Sequence, residues 1–203
     1  MSVRSPLSRS VCAFGVAVSL ATLARAQTLL TFSPTVSPAW ESGANWTPQQ
    51  LPGGSDIAAI LTGTVGVNAT PSVGGIALTG GNIGGNGTLT LTSTTFNSSW
   101  TNGMLTGGGT LVIGLNHTLA LTGADNKVYT HGSQGFGGHV IRNQGTITWA
   151  GGGNLLAGDG GAIINESTGV FRANNDQVLG WTTAGNSPTF SNAGLFQKSA
   201  GVG

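Results

Sequence analysis

The sequence predicts an all-β chain folded as a right-handed parallel β-helix, a solenoid with an N-terminal cap. Three observations carry that expectation. Short runs alternate apolar and hydroxyl residues, as in Thr88-Leu89-Thr90-Leu91-Thr92 and Thr118-Leu119-Ala120-Leu121-Thr122, which is the two-residue period of a half-buried strand. Turn units recur at a spacing in the low twenties: Gly87 to Gly109 is 22 residues, Gly145 to Gly169 is 24 and Gly169 to Gly194 is 25. No stretch beyond residue 26 carries a helical period. A repeat of that length, holding several short strands, is how a solenoid reads in sequence. An antiparallel β-sandwich with Gly-rich loops is the runner-up. A propeller blade needs about 40 residues, too long for this period.

Residues 1–26 form the first segment. Arg4 and Arg9 make a basic start, Val11 to Ala24 is mostly apolar, and Ala24-Arg25-Ala26 ends in small residues. This reads as a secretory signal peptide cleaved after Ala26. The apolar run is shorter than the roughly 18–20 residues a membrane span needs. Cys12, the only cysteine, leaves with it, so the mature chain has no thiol, disulfide or cysteine metal site.

Residues 27–62 are expected to form the cap. The segment holds Trp40, Trp46, several prolines and Asp56. A solenoid needs such a lid because its first coil otherwise exposes a row of unpaired backbone groups. Large aromatics suit the task, although Trp40 and Trp46 could instead form a platform for glycans.

Residues 63–203 carry the repeats. Each late unit runs through a strand, an asparagine, a turn and a glycine: Asn143 and Gly145, Asn165 and Gly169, Asn192 and Gly194. The turn glycines and asparagines are expected to supply positive-φ corners. The asparagines can also bond one another from coil to coil as an internal ladder. About seven or eight coils at about 4.8 Å each would give a rod of roughly 35 Å. The closing stretch, TFSNAGLFQKSAGVG, reads as half a repeat, which suggests a truncated chain and an open last coil prone to self-association.

Charge excludes one class of partner. The chain has 7 basic and 6 acidic residues; losing Arg4, Arg9 and Arg25 leaves 4 against 6, a net of −2. No basic patch remains for nucleic acid, and no membrane span is expected in the mature chain.

Trp40, Asn45-Trp46, Pro52 and Asp56-Ile57-Ala58-Ala59-Ile60, followed by Gly-Thr-Leu and Asn-x-Gly-Thr-Ile units, resemble the N-terminal part of large secreted bacterial repeat proteins of the autotransporter or adhesin type. The resemblance covers nearly the whole mature chain. It implies a β-helical passenger or scaffold, secreted or held at the cell surface, whose chain normally continues.

Catalytic chemistry is sparse. Six acidic residues remain after cleavage, and only Asp159 and Asp176 are spaced so that adjacent coils could bring them together, the minimum for glycoside hydrolysis. His117, His131 and His139 have no metal spacing. The His131–Gly135 segment lacks the first glycine of a nucleophile elbow, which leaves Ser133 an ordinary loop serine. Gly151–Gly161 is similar to one poor copy of a Gly/Asp calcium repeat, centred on Asp159. Six Asn-x-Ser/Thr sequons, at Asn45, Asn68, Asn86, Asn97, Asn116 and Asn165, follow from composition and read as turn and ladder residues.

We therefore expect an exported, non-catalytic β-helical passenger or surface scaffold with no cofactor. Its Thr/Asn/Gly faces would meet surface glycans or other surface proteins through many weak contacts. The alternative is the non-catalytic N-terminal part of a polysaccharide lyase or glycoside hydrolase.

Overall fold

The computed structural model describes residues 27–34, 37–131, 137–182 and 185–202. The expected signal peptide at 1–26 and the loop serine Ser133 lie outside the described residues. Over those described, the chain is a β-solenoid of about 7 turns, consistent with a right-handed β-helix.

The chain enters through β1 (Leu29–Phe32), a single 3-10 turn at Gly43–Asn45 and β2 (Trp46–Thr47). Coil one then holds β3 (Ile57–Ile60), β4 (Thr64–Gly66) and β5 (Ser72–Val73). In coil two the first two faces share one long strand, β6 (Gly75–Gly84), followed by β7 (Thr88–Leu91). Coil three repeats that pattern with β8 (Ser98–Leu105) and β9 (Thr110–Ile113). Coil four has β10 (Thr118–Leu121), β11 (Lys127–Tyr129) and β12 (Val140–Asn143). Coil five has β13 (Thr146–Trp149), β14 (Leu155–Ala157) and β15 (Ala162–Asn165). Coil six has β16 (Val170–Ala173), β17 (Leu179–Trp181) and β18 (Thr189–Asn192), and β19 (Leu195–Lys198) opens the next turn.

Strands of equal rank stack into three faces. One runs β1-β3-β6-β8-β10-β13-β16-β19, a second β5-β7-β9-β12-β15-β18, and a third joins β4, the ends of β6 and β8, β11, β14 and β17. Every ladder is parallel except β1 with β2. That removes the antiparallel sandwich. Among the described residues no helix is long and apolar enough to cross a membrane.

Register explains the core. In-register pairing stacks like on like: Leu78, Trp100, Leu121 and Trp149 form one inward column of the first face. Leu89, Leu111, Ile141, Ile163 and Phe190 form another on the second. The alternation of buried and open positions along β7, β10 and β13 puts each Leu, Ile or Trp inside and each Thr or Ala outside.

The N-terminal end is covered in two places. β2 runs antiparallel along β1, with Phe32 opposite Trp46. Trp40 and Trp46 meet edge to face at 4.8 Å, Phe32 and Trp46 at 5.4 Å, and Trp46 Nε1 donates to the Trp40 carbonyl at 3.0 Å. Over the third face, Trp40 N–H donates to the Gly66 carbonyl at 2.9 Å. Glu41 Oε1 accepts the N–H groups of Asn68 and Ala69 at 3.1 and 3.0 Å. Both indoles are buried, Trp40 at 1% and Trp46 at 0% exposure, so neither presents a ring face to a sugar. The glycan platform expected as one reading of Trp40 and Trp46 does not form. Parallel stacking also begins sooner than residue 63, because β3 already pairs with β1 and β6.

Because Trp46 fills the end of the core, Trp46→Ala is expected to cost about 3–5 kcal/mol, read as a drop in the urea midpoint.

Candidate functional site

Three coils place a polar device where the fold calls for apolar packing. The inward column Val73-Leu91-Ile113 is continued by Asn143, Asn165 and Asn192, the last residues of β12, β15 and β18. Asn143 Nδ2 donates to Asn165 Oδ1 at 2.7 Å, and Asn165 Nδ2 donates to Asn192 Oδ1 at 2.6 Å. The amides also reach carbonyls on the first face: Asn143 to Val170 of β16 at 3.1 Å and Asn165 to Leu195 of β19 at 3.2 Å. Asn143 and Asn165 are fully buried, where an unpaired amide would be costly. Outside the same corner, Glu166 is held by Arg142 Nε and by Gln144 Nε2 at 3.0 Å. The Arg142 hydrogen bond pulls the Glu166 carboxyl below its ordinary value, with a smaller pull from Gln144.

Gly145, Gly169 and Gly194 follow this ladder, and none has a positive φ, which corrects the expectation from their turn position. They are glycines because coils pass too closely for a side chain. A Cβ on Gly145 would run into the carbonyls of His117 and Gly114, and one on Gly194 into those of Glu166 and Gly169. Of the sequon asparagines, Asn116 takes the left-handed conformation at φ 63°. Asn86 Oδ1 accepts the Gly108 N–H at 3.1 Å across coils.

Asp159 and Asp176 do not meet. Leu155 pairs with Leu179 and Ala157 with Trp181, which puts Asp159 beyond one end of the third face and Asp176 before the other. Asp159 Oδ2 accepts from Thr130 Oγ1 at 2.6 Å. Asp176 Oδ1 accepts from Lys198 Nζ at 2.6 Å and from the Val202 N–H at 3.0 Å. Among the described residues no group of three or more His, Cys, Asp or Glu is placed to hold a metal.

The sequence reading missed two buried polar sites. Lys127 faces inward above Leu155 with no exposure, and its Nζ donates to the Asp125 carbonyl at 2.6 Å. Burial lowers its pKa against the opposing pull of Asp125. The second is a clamp around His117. Ser98 stands in an inward column between Ile76 and Leu119, and its Oγ accepts the Ile76 N–H at 2.9 Å. That leaves its hydroxyl proton for His117 Nε2 at 2.8 Å. His117 Nδ1–H then donates to the Ser93 carbonyl at 2.6 Å. This tautomer is assigned from the bonding network. The pair resembles a nucleophile and its base, yet Ser98 is 1% and His117 0% exposed, so no substrate reaches them. The imidazole instead ties together the two ends of the loop Thr92–Asn97.

That loop walls an open groove. The corner from the second face to the first is a single residue, Gly74, between β5 and β6, but six residues, 92–97, between β7 and β8. The surplus folds back toward coil one. Phe96 lies on Gly74 and Gly75, whose Cβ atoms would each stand 2.7 Å from its ring. Ser93 N–H donates to the Gly74 carbonyl at 2.9 Å. Between the loop, Gly54-Ser55 and Gln27 opens a groove of about 390 Å³. A second groove, about 320 Å³, lies among Tyr129, Trp181 and Phe190 on the last coils.

Comparison with family models, with curated proteins and with solved structures returns no match for this chain.

Two measurements test the polar interior. Asn165→Ala removes the middle rung and leaves the Asn143 amide with the Val170 carbonyl alone; it is expected to cost about 1–3 kcal/mol and to speed hydrogen exchange in β18 and β19. Acid should also weaken the fold. His139 is buried, its Nδ1 sits 3.2 Å from the Thr106 carbonyl, and its Nε2 has no partner among the described residues. Burial pushes it from 6.5 down to about 4, against the Thr106 hydrogen bond. Burial also lowers His117. The unfolded chain therefore takes up protons first. Stability is whole above pH 6.5 and falls as the pH drops toward about 4, by up to roughly 3 kcal/mol for His139. His139→Gln should flatten that acid limb in urea titrations taken at successive pH values.

Proposed function

We propose that the protein is an exported, non-catalytic β-helical scaffold of the cell surface or the secreted fraction, with an adhesive role. The observation that carries the reading is the outward surface of the stacked coils. Outward positions on the first face run Ala77, Ser99, Ala120 and Thr148 in register from coil to coil, small and uncharged, before the column ends in Arg172 and Gln197. Such a surface suits many weak contacts in series, with surface glycans or other surface proteins as partners. The polar residues with catalytic potential serve the fold: Ser98 and His117 are sealed, and Asp159 and Asp176 stand apart.

Self-association belongs to the same reading. On the last coil the inward-facing Phe196 is 45% and Trp181 43% exposed. Phe171, Phe190 and Phe196 form a cluster with ring centroids 5.5–5.6 Å apart. An apolar strand edge of this kind favours pairing with another copy.

Fractionation and intact-mass analysis of the protein from a secreting bacterium test the export half. The expected result is a product beginning at Gln27, outside the cytoplasm and sensitive to added protease. A full-length mass confined to the cytoplasm would overturn the reading.

A further inference from the structure

We infer that the groove under the Thr92–Asn97 loop is a binding site for a neutral saccharide. The inference gives the adhesive reading a defined site and rests on it, but its test is independent of export.

The groove is built by the fold. The loop is longer than the equivalent corner of the preceding coil, and it is held at its base. His117 grips the Ser93 carbonyl and the Ser98 hydroxyl, and Ser93 Oγ meets Thr95 Oγ1 at 3.1 Å and accepts the Thr95 N–H at 3.2 Å. Thr92 Oγ1 reaches the Val73 carbonyl at 3.1 Å. A site held this way loses little order when it binds, which raises affinity for a given set of contacts.

The lining selects the ligand class. Gln27, Ser55, Thr92, Thr94 and Thr95 bring one amide and four hydroxyls, with Phe96 on the flank and no ionisable side chain on the wall. Hydroxyls and amides both donate and accept, matching the alternating hydroxyls of a sugar ring. The half-buried Phe96 ring is backed by Gly74 and Gly75, where it can pack on the apolar C–H face of a pyranose. The wall offers an anionic ligand no cationic side chain, only the α-amino group that cleavage after Ala26 would leave on Gln27, and an apolar ligand would leave the hydroxyls unpaired, which is costly. At about 390 Å³ the groove falls within the usual range for small-ligand sites, about 300–1,000 Å³.

The test is calorimetric titration of the full chain with cellohexaose and maltohexaose, and with trigalacturonate as the acidic contrast. The expected result is saturable binding of at least one neutral oligosaccharide and none of trigalacturonate. Phe96→Ala should weaken binding at least tenfold. Thr94→Val, which removes an exposed hydroxyl without changing side-chain shape, should weaken it several-fold and leave the circular dichroism unchanged. Should Phe96→Ala fail to fold, Thr94→Val decides. Three results would overturn the inference: no binding of either neutral sugar, equal or tighter binding of trigalacturonate, or wild-type affinity in the folded variants. Binding with cytoplasmic retention would sink export alone, and export without binding would sink the groove alone.

Discussion

Everything in this molecule depends on the spacing between successive coils. Parallel strands lie about 4.8 Å apart, so each residue sits directly over its counterpart in the next coil. The interior is thereby sorted into columns, and each column must be chemically consistent along its length. Leucine over tryptophan over leucine meets that condition by burial, at about 25 cal/mol per Å² of apolar surface. An amide meets it only if another amide stands below. The same spacing governs corners. Where one coil's carbonyls pass beneath the next coil's backbone, as at Gly145 and Gly194, there is no volume for a methyl group.

The polar interior follows from that sorting. Asn143, Asn165 and Asn192 take over a column that Val73, Leu91 and Ile113 began, and the change is tolerated because the asparagines bond in series. The top of the ladder shows the cost of the transition. Asn143 Oδ1 faces the Ile113 rung and has no hydrogen-bond partner among the described residues. His117 represents a different solution. It is a single polar group whose two nitrogens are matched to one hydroxyl and one carbonyl, so no neighbouring coil has to repeat it. That independence lets one corner depart from the others. A six-residue loop is pinned where its predecessor has one glycine, and the departure creates the groove beside Gly54 and Ser55.

Much of the architecture was legible along the chain. Period-two runs such as Thr118–Thr122 place Leu119 and Leu121 inside, and the low-twenties spacing of Asn and Gly identifies the coil. The asparagine positions stood out because each precedes a turn glycine by two to four residues, and those glycines recur every 24 or 25 residues. Trp40 and Trp46 were recognisable as large aromatics ahead of the repeats, but their burial was not, since a ring that closes a core and one that stacks on a sugar look alike in sequence. Asp159 and Asp176 show the converse error. Their separation suggested adjacency, whereas coil lengths here vary with corner length and push them to opposite ends of a face. Ser98 and His117 carried a faint signal, a serine in an inward alternating position and a histidine directly before a strand. Nothing local linked them.

By itself, then, the sequence determined the class of fold, the inward and outward faces of most strands and the asparagine column, because periodicity is a local property and parallel stacking repeats it without alteration. The tertiary structure decided which residues met across coils. The His117 clamp joins residues 19 and 24 positions away, and Phe96 finds Gly74 and Gly75 only because one corner is longer than the one before it. Those contacts depend on cumulative coil length, a sum over corners of unequal size, and only the folded chain evaluates that sum.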